Sequence, residues 1–162
     1  MHPDPIDLAR RLVQGRFPEA LAVVLAGSTA AGRATTSSDL DIAVLVGDGG
    51  ETCRETLRFE GRLAELFIHT RAGLGELFAA NVASRRGVLQ SMYATGLVLV
   101  DVGGEAGRAR AQAEADLRNG PPALEPETVE MLTERQGERL PTWLDAVRKD
   151  DLPQPPHASR RD

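Results

Sequence analysis

An α/β (α+β) fold, a mixed sheet with flanking helices and a short helical segment after it, is predicted by three features of the chain. Short apolar runs closed by glycine, at 21–26 and 97–102, alternate with longer stretches whose apolar residues recur at helical spacing. Strand-like runs crowd the first part of the chain and helical stretches the second, an order that suits helices packed on one face of a sheet. Hydrophobic residues make up 41% and charged residues 27% of the 162 positions, enough for a buried core and too apolar for a wholly disordered chain.

Each element has its own signal. From Pro5 to about Arg16, Ile6, Leu8, Leu12 and Val13 fall at near-helical spacing, and Pro18 marks the end of that amphipathic helix. Leu21 to Ala26 is a continuous apolar run too short for a helix, so it reads as a buried strand that delivers Gly27 and Ser28 at its end. Thr29 to Ser38, rich in small residues, holds a turn or a short helix. Leu40 to Val46 is a second strand, closed by Gly47-Asp48-Gly49-Gly50.

Glu51 to Glu60 fits helix and strand equally well. Leu63 to His69 is a third strand on which Leu63, Glu65, Phe67 and His69 share one side. Leu74 to Ala80 and Arg85 to Thr95 are helical, Leu97 to Val102 is a fourth strand, and Glu105 to Arg118 is a helix stopped by Asn119-Gly120-Pro121-Pro122. The expected organisation is a domain over 1–120, a helical extension over 121–150 and a disordered proline-rich tail over 151–162. Within the extension, Leu140, Trp143, Leu144 and Val147 form an apolar stripe suited to a core or partner contact.

Composition narrows the function. The formal net charge is −5 and the basic residues form no run longer than a pair such as Arg160-Arg161, so no broad cationic surface for duplex DNA is expected. The single cysteine, Cys53, excludes an internal disulfide and a multi-cysteine zinc site and suits a reducing cytoplasm. The start of the chain lacks the pattern of a signal peptide, and no run approaches the ~20 apolar residues of a membrane span. A cytoplasmic protein with no membrane association is the expectation.

The stretch that carries chemistry runs from Gly27 to Asp41. Glycine at a strand end lets backbone approach a phosphate closely, and Ser28 adds a hydroxyl and a main-chain N–H. Asp39 and Asp41, two apart at a strand entrance, project to the same face, where their mutual repulsion calls for a cation. Glu65, inside an apolar strand, is costly to bury unless it joins that cation site or meets a basic partner. Arg33 on the loop, and Arg85 or Arg86 on the later helix, are candidates to neutralise a phosphate. His69 reads as a surface or packed residue and is assigned no chemistry.

Gly27-Ser28, ten intervening residues, then Asp39-Leu40-Asp41 resembles the signature of the polymerase-β-like nucleotidyltransferase superfamily. Ser38 and Gly32 add a likeness to small bacterial members, the aminoglycoside nucleotidyltransferases and the minimal nucleotidyltransferases paired with HEPN-type helical proteins. The resemblance implies that Gly27, Ser28, Arg33 and Ser38 bind ATP or another nucleoside triphosphate. It also implies that Asp39, Asp41 and Glu65 are catalytic and hold Mg²⁺, two ions in all, with transfer of a nucleoside monophosphate to a hydroxyl. Aminoglycoside-modifying relatives carry a larger helical domain than the segment following Gly120, so a homodimer or a helical partner protein would complete the acceptor site. Three functions follow: an enzyme acting on a small-molecule hydroxyl, an antitoxin-like protein that binds and modifies a HEPN-type partner, and a binding-only degenerate fold.

Overall fold

The computed structural model describes residues 3–35, 37–123, 125–127, 129 and 131. The chain divides into two compact units, Met1–Pro122 and Ala123–Asp162. In the second, residues 126, 127, 129 and 131 are helical. The rest of the expected extension, including the Trp143 stripe, and the proline-rich tail lie outside the described residues.

The first unit opens with α1, Pro5–Arg16. Pro5 sits where its missing N–H costs nothing, and the Asp4 carboxylate accepts from the Ile6 N–H at 3.2 Å to close the first turn. The strands are β1 (Ala22–Leu25), β2 (Leu40–Leu45), β3 (Cys53–Phe59), β4 (Arg62–His69) and β5 (Leu97–Asp101). They form one sheet in the order β3-β4-β2-β1-β5, with β2 parallel to β4 and the other neighbours antiparallel. The helices are α2 (Gly27–Ala30), α3 (Arg71–Ala83), α4 (Val88–Thr95) and α5 (Glu105–Asn119).

The undecided segment before Gly61 is thus a strand. Glu60 and Gly61 have φ of +46° and +85°, the paired left-handed conformation that closes a two-residue hairpin between β3 and β4. On β3, Leu57 and Phe59 pack toward the core while Arg54, Thr56 and Arg58 are exposed, the alternation of an edge strand. Its charges made the helical alternative equally plausible in sequence. Arg16 on Glu55 and Arg11 on Glu60, each at 2.7 Å, tie this edge to α1.

The expectation of helices on one face is corrected. Leu8, Leu12 and Val13 of α1 pack on Val23, Leu25, Ile42, Val44 and Leu66. On the opposite face, α3, α4 and α5 bring Leu74, Phe78, Tyr93 and Ala109 onto Val24, Ala43 and Leu45. Strand β1 is buried on both sides, as its unbroken apolar run requires, and a strand of that kind needs cover above and below. Among the described residues no helix is long and apolar enough to cross a membrane.

Candidate functional site

The β1 strand ends against the start of β2, where the Ala26 N–H donates to the Asp41 carbonyl at 2.8 Å. The chain then turns into α2 at Gly27, with φ of +67°. A Cβ at this position would overlap Asp41 Oδ2 and stand 3.1 Å from its Cγ, so glycine is favoured by conformation and any other residue would displace the Asp41 carboxylate. The helix begins at Gly27 rather than within 29–38, and this places Ser28, half-buried, in its first turn, next in sequence to the glycine that faces Asp41.

The loop into β2 is held by short-range bonds. The Thr35 N–H donates to Ser38 Oγ at 2.9 Å, and Thr35 Oγ1 lies 3.1 Å from both Ser37 Oγ and Ser38 Oγ. The Ser38 hydroxyl is therefore turned into its own loop. Arg62 Nη1 donates to the Ser38 carbonyl at 3.0 Å and anchors the approach to Asp39 on β4. Arg33 is exposed on this loop, its N–H on the Ser28 carbonyl at 2.9 Å. Arg85 donates instead to the Pro122 carbonyl, and it lines with Arg86 a separate cavity beside Gln90 and Asp116.

The carboxylates converge by register. Asp41 on β2 pairs with Glu65 on the parallel strand β4, which puts both on the α3–α5 face of the sheet. Asp39 is exposed two residues earlier. Burial raises the proton affinity of Asp41 first, the charges of Glu65 and Asp39 raise it further, and Arg54 opposes them. Asp41 thus feels both of the other acids.

Glu65 has a partner that the sequence reading missed. Arg54 Nη2 lies 2.6 Å from Glu65 Oε2, and its guanidinium sits 4.9 Å from the centre of the Phe67 ring. The register explains why: Arg54 pairs with Phe67 and is diagonal to Glu65 on the same face. Reading 53–59 as a strand would have exposed this contact through the alternation of Arg54, Thr56 and Arg58.

Among the described residues no three His, Cys, Asp or Glu side chains converge closely enough to hold an ion, and the Glu65 carboxylate faces Arg54. The donor chemistry of Asp39 and Asp41 nonetheless fits a hard divalent cation: oxygen donors, like charges and an Asp41 whose ionisation is disfavoured without one. Glu65 fits the same cation only with its carboxylate released from Arg54.

His69 is packed, one of the two outcomes the sequence allowed. It is 3% exposed, and burial lowers its pKa to about 4. Neither ring nitrogen has a hydrogen-bond partner, nor does the buried hydroxyl of Tyr93, whose ring centre is 6.4 Å away. Each such group costs about 1–3 kcal/mol if left unpaired.

The nucleotidyltransferase domain family matches residues 6–74, which span α1 to the start of α3 and contain Gly27, Ser28, Asp39, Asp41 and Glu65. Residues 6–74 carry the sequence of a nucleotidyltransferase domain. Its mixed sheet flanked by helices is the fold expected of the polymerase-β-like kind. No curated protein is similar enough in sequence to count as a match. Among solved structures, the nucleotidyltransferase domain is similar to a nucleotidyltransferase-like protein from Exiguobacterium sibiricum, with 13% identity and a TM-score of 0.49 over 67% of this chain. The chain spans 38% of that protein's length. It is also similar to a toxin–antitoxin structure with AMP-PNP, with 18% identity and a TM-score of 0.37 over 88% of this chain and 98% of the other. A toxin–antitoxin MntA–HpeT mutant gives 17% identity and a TM-score of 0.35 over the same shares.

Proposed function

We propose that this nucleotidyltransferase domain moves a nucleoside monophosphate from a nucleoside triphosphate, ATP in the first instance, to a hydroxyl acceptor. The observation that carries the reading is the pairing of Asp41 with Glu65 across parallel strands, at the point where Gly27 leaves the Asp41 carboxylate room beside Ser28.

In this reading the backbone and hydroxyl of Ser28 bind the triphosphate oxygens, and Gly27 lets the chain approach them. Ser38 shapes the loop, and Arg33 reaches the outer phosphates from it. Asp39 and Asp41 hold Mg²⁺, with Glu65 completing a two-ion site once Arg54 lets it go. Mg²⁺ at these carboxylates supplies neutralisation of the triphosphate charge. Glu65 takes the proton of the acceptor hydroxyl as its oxygen bonds to the α-phosphorus. The bond from the α-phosphorus to the oxygen bridging it to the β-phosphate breaks, and pyrophosphate leaves with that electron pair.

ATP labelled at the α-phosphate tests the reading in two arms, one with small-molecule hydroxyl acceptors and one with a helical protein of the HEPN type. Label is expected to reach an acceptor in one arm and to be lost in Asp41→Asn, a variant expected to remain folded. Undiminished transfer by Asp41→Asn would remove the proposed site. Label that binds and never transfers in either arm would replace this reading with the binding-only one.

A further inference from the structure

The Arg54–Glu65 pair is built unlike the ion pairs that tie the domain together. Arg11 grips Glu60 at two points, Nε on Oε1 at 3.1 Å and Nη2 on Oε2 at 2.7 Å, and Arg71 holds Glu105 Oε1 through both Nε and Nη2. Arg54 meets Glu65 at one point, Nη2 on Oε2 at 2.6 Å, so the other N–H donors of its guanidinium are not engaged by the carboxylate. Its side chain is 61% exposed, against 46% for Arg11 and for Arg71. A cavity of about 360 Å³, lined by Arg54, Phe67 and His69 among others, leaves open space on one flank. The Phe67 ring, 4.9 Å from the guanidinium, is a weak hold at so exposed a position. Arg54 is thus a lightly held cation.

It is also placed to meet a polyphosphate. Arg54 shares the α3–α5 face of the sheet with Glu65 and Asp41, and its charge is felt at Asp41. Asp41 Oδ2 in turn lies against Gly27, at the turn assigned to the triphosphate. A phosphate chain there offers several anionic oxygens and accepts an arginine fork at two points, where Glu65 is held at one. We infer that Arg54 senses the triphosphate: the phosphates draw its guanidinium off Glu65, and the freed carboxylate joins Asp39 and Asp41 at the cation. The inference rests on the triphosphate reading above and adds an order of events to it. Before nucleotide arrives, the acids open to a cation are Asp39 and Asp41. Afterwards Arg54 neutralises phosphate and Glu65 is available, so nucleotide and the cation at Glu65 favour each other's binding.

Two binding measurements on the full chain test the exchange without turnover. One titrates, in Mg²⁺, an ATP analogue with a methylene bridge between the α- and β-phosphates, which cannot be cleaved there; the other titrates Mn²⁺ alone. Arg54→Ala is expected to weaken the analogue about fivefold, by loss of the fork, and to tighten Mn²⁺, by release of Glu65. Damage to the site would weaken both ligands. Arg58→Ala controls for charge alone, since Arg58 is exposed on the same strand and the same face, and it is expected to leave both affinities within about twofold. Thermal melting checks each fold, and Arg54→Gln repeats the measurements if Arg54→Ala is unfolded. Analogue affinity unchanged or raised in the Arg54 variant, Mn²⁺ affinity unchanged or lowered, or the same pair of changes in Arg58→Ala overturns the inference. An analogue that binds wild type and Arg54→Ala alike leaves the transfer reading standing, whereas one that binds neither removes both.

Discussion

Asp41 and Glu65 are register partners on adjacent parallel strands, yet the Glu65 carboxylate is held 2.6 Å from Arg54 on the strand beyond. The acidic cluster is therefore unevenly compensated. Glu65 has a cation in direct contact, whereas Asp41 is half-buried beside two like charges that Arg54 only partly offsets. Asp41 carries the electrostatic cost of the site, a common feature of positions kept for chemistry rather than stability.

Asp41→Asn is accordingly expected to stabilise the domain at neutral pH. The folded protein binds the Asp41 proton more readily than the unfolded chain does, so the ionised carboxylate works against folding wherever it is charged. That cost fades as pH falls through the raised folded value toward the ordinary 3.8, where both states are protonated. Thermal melting should place the variant a few degrees above wild type at neutral pH, with the gap closing in acid. Added Mg²⁺ or Mn²⁺ should raise the wild-type midpoint and leave that of the variant unchanged. A variant that melts lower at neutral pH contradicts the electrostatic account.

Much of this arrangement was legible in the residues themselves. The apolar run before Gly27 gave a buried strand, the spacing of Asp39 and Asp41 gave a shared face, and the alternation around Glu65 gave the side of β4 on which it lies. Three things were not legible. The parallel pairing that sets Asp41 opposite Glu65 depends on strand order, which no local pattern encodes. The edge strand β3 mixes charge with apolar residues, so neither period stood out and Arg54 stayed hidden. The second layer of helices was missed because strands buried on both sides show no alternation to say which face each helix covers.

Arg54→Ala should separate the two demands on Glu65. The arginine side chain is 61% exposed and the carboxylate 26%, so breaking the pair costs stability of no more than about 1 kcal/mol. Its larger effect is on charge. With the guanidinium gone, Glu65 is free to turn toward Asp41, and the cluster loses the cation that offsets its charge. Mn²⁺ binding, followed by the loss of the free-ion paramagnetic resonance signal, should tighten in Arg54→Ala, with Arg54→Lys between the two. Equal or weaker Mn²⁺ binding in Arg54→Ala would mean that Glu65 has no access to the ion.

His69 predicts a stability window of its own. Its folded pKa near 4 lies below the ordinary 6.5, so on acidification the unfolded chain takes up a proton that the folded protein refuses. Stability tied to the neutral ring is present above about pH 6.5 and is lost as pH falls toward 4, by about 3 kcal/mol in all. Tyr93 stays protonated throughout, since burial raises its pKa. Glu60 and Glu105, held below the ordinary carboxylate range by hydrogen bonds from Arg11 and Arg71, contribute losses that extend to lower pH. Urea unfolding across this range should therefore show wild type weakening steeply between 6.5 and 4 while His69→Phe weakens less. Parallel curves for the two proteins would mean that the imidazole finds a proton acceptor or solvent as the pH drops, and that its isolation in the cavity wall is not maintained.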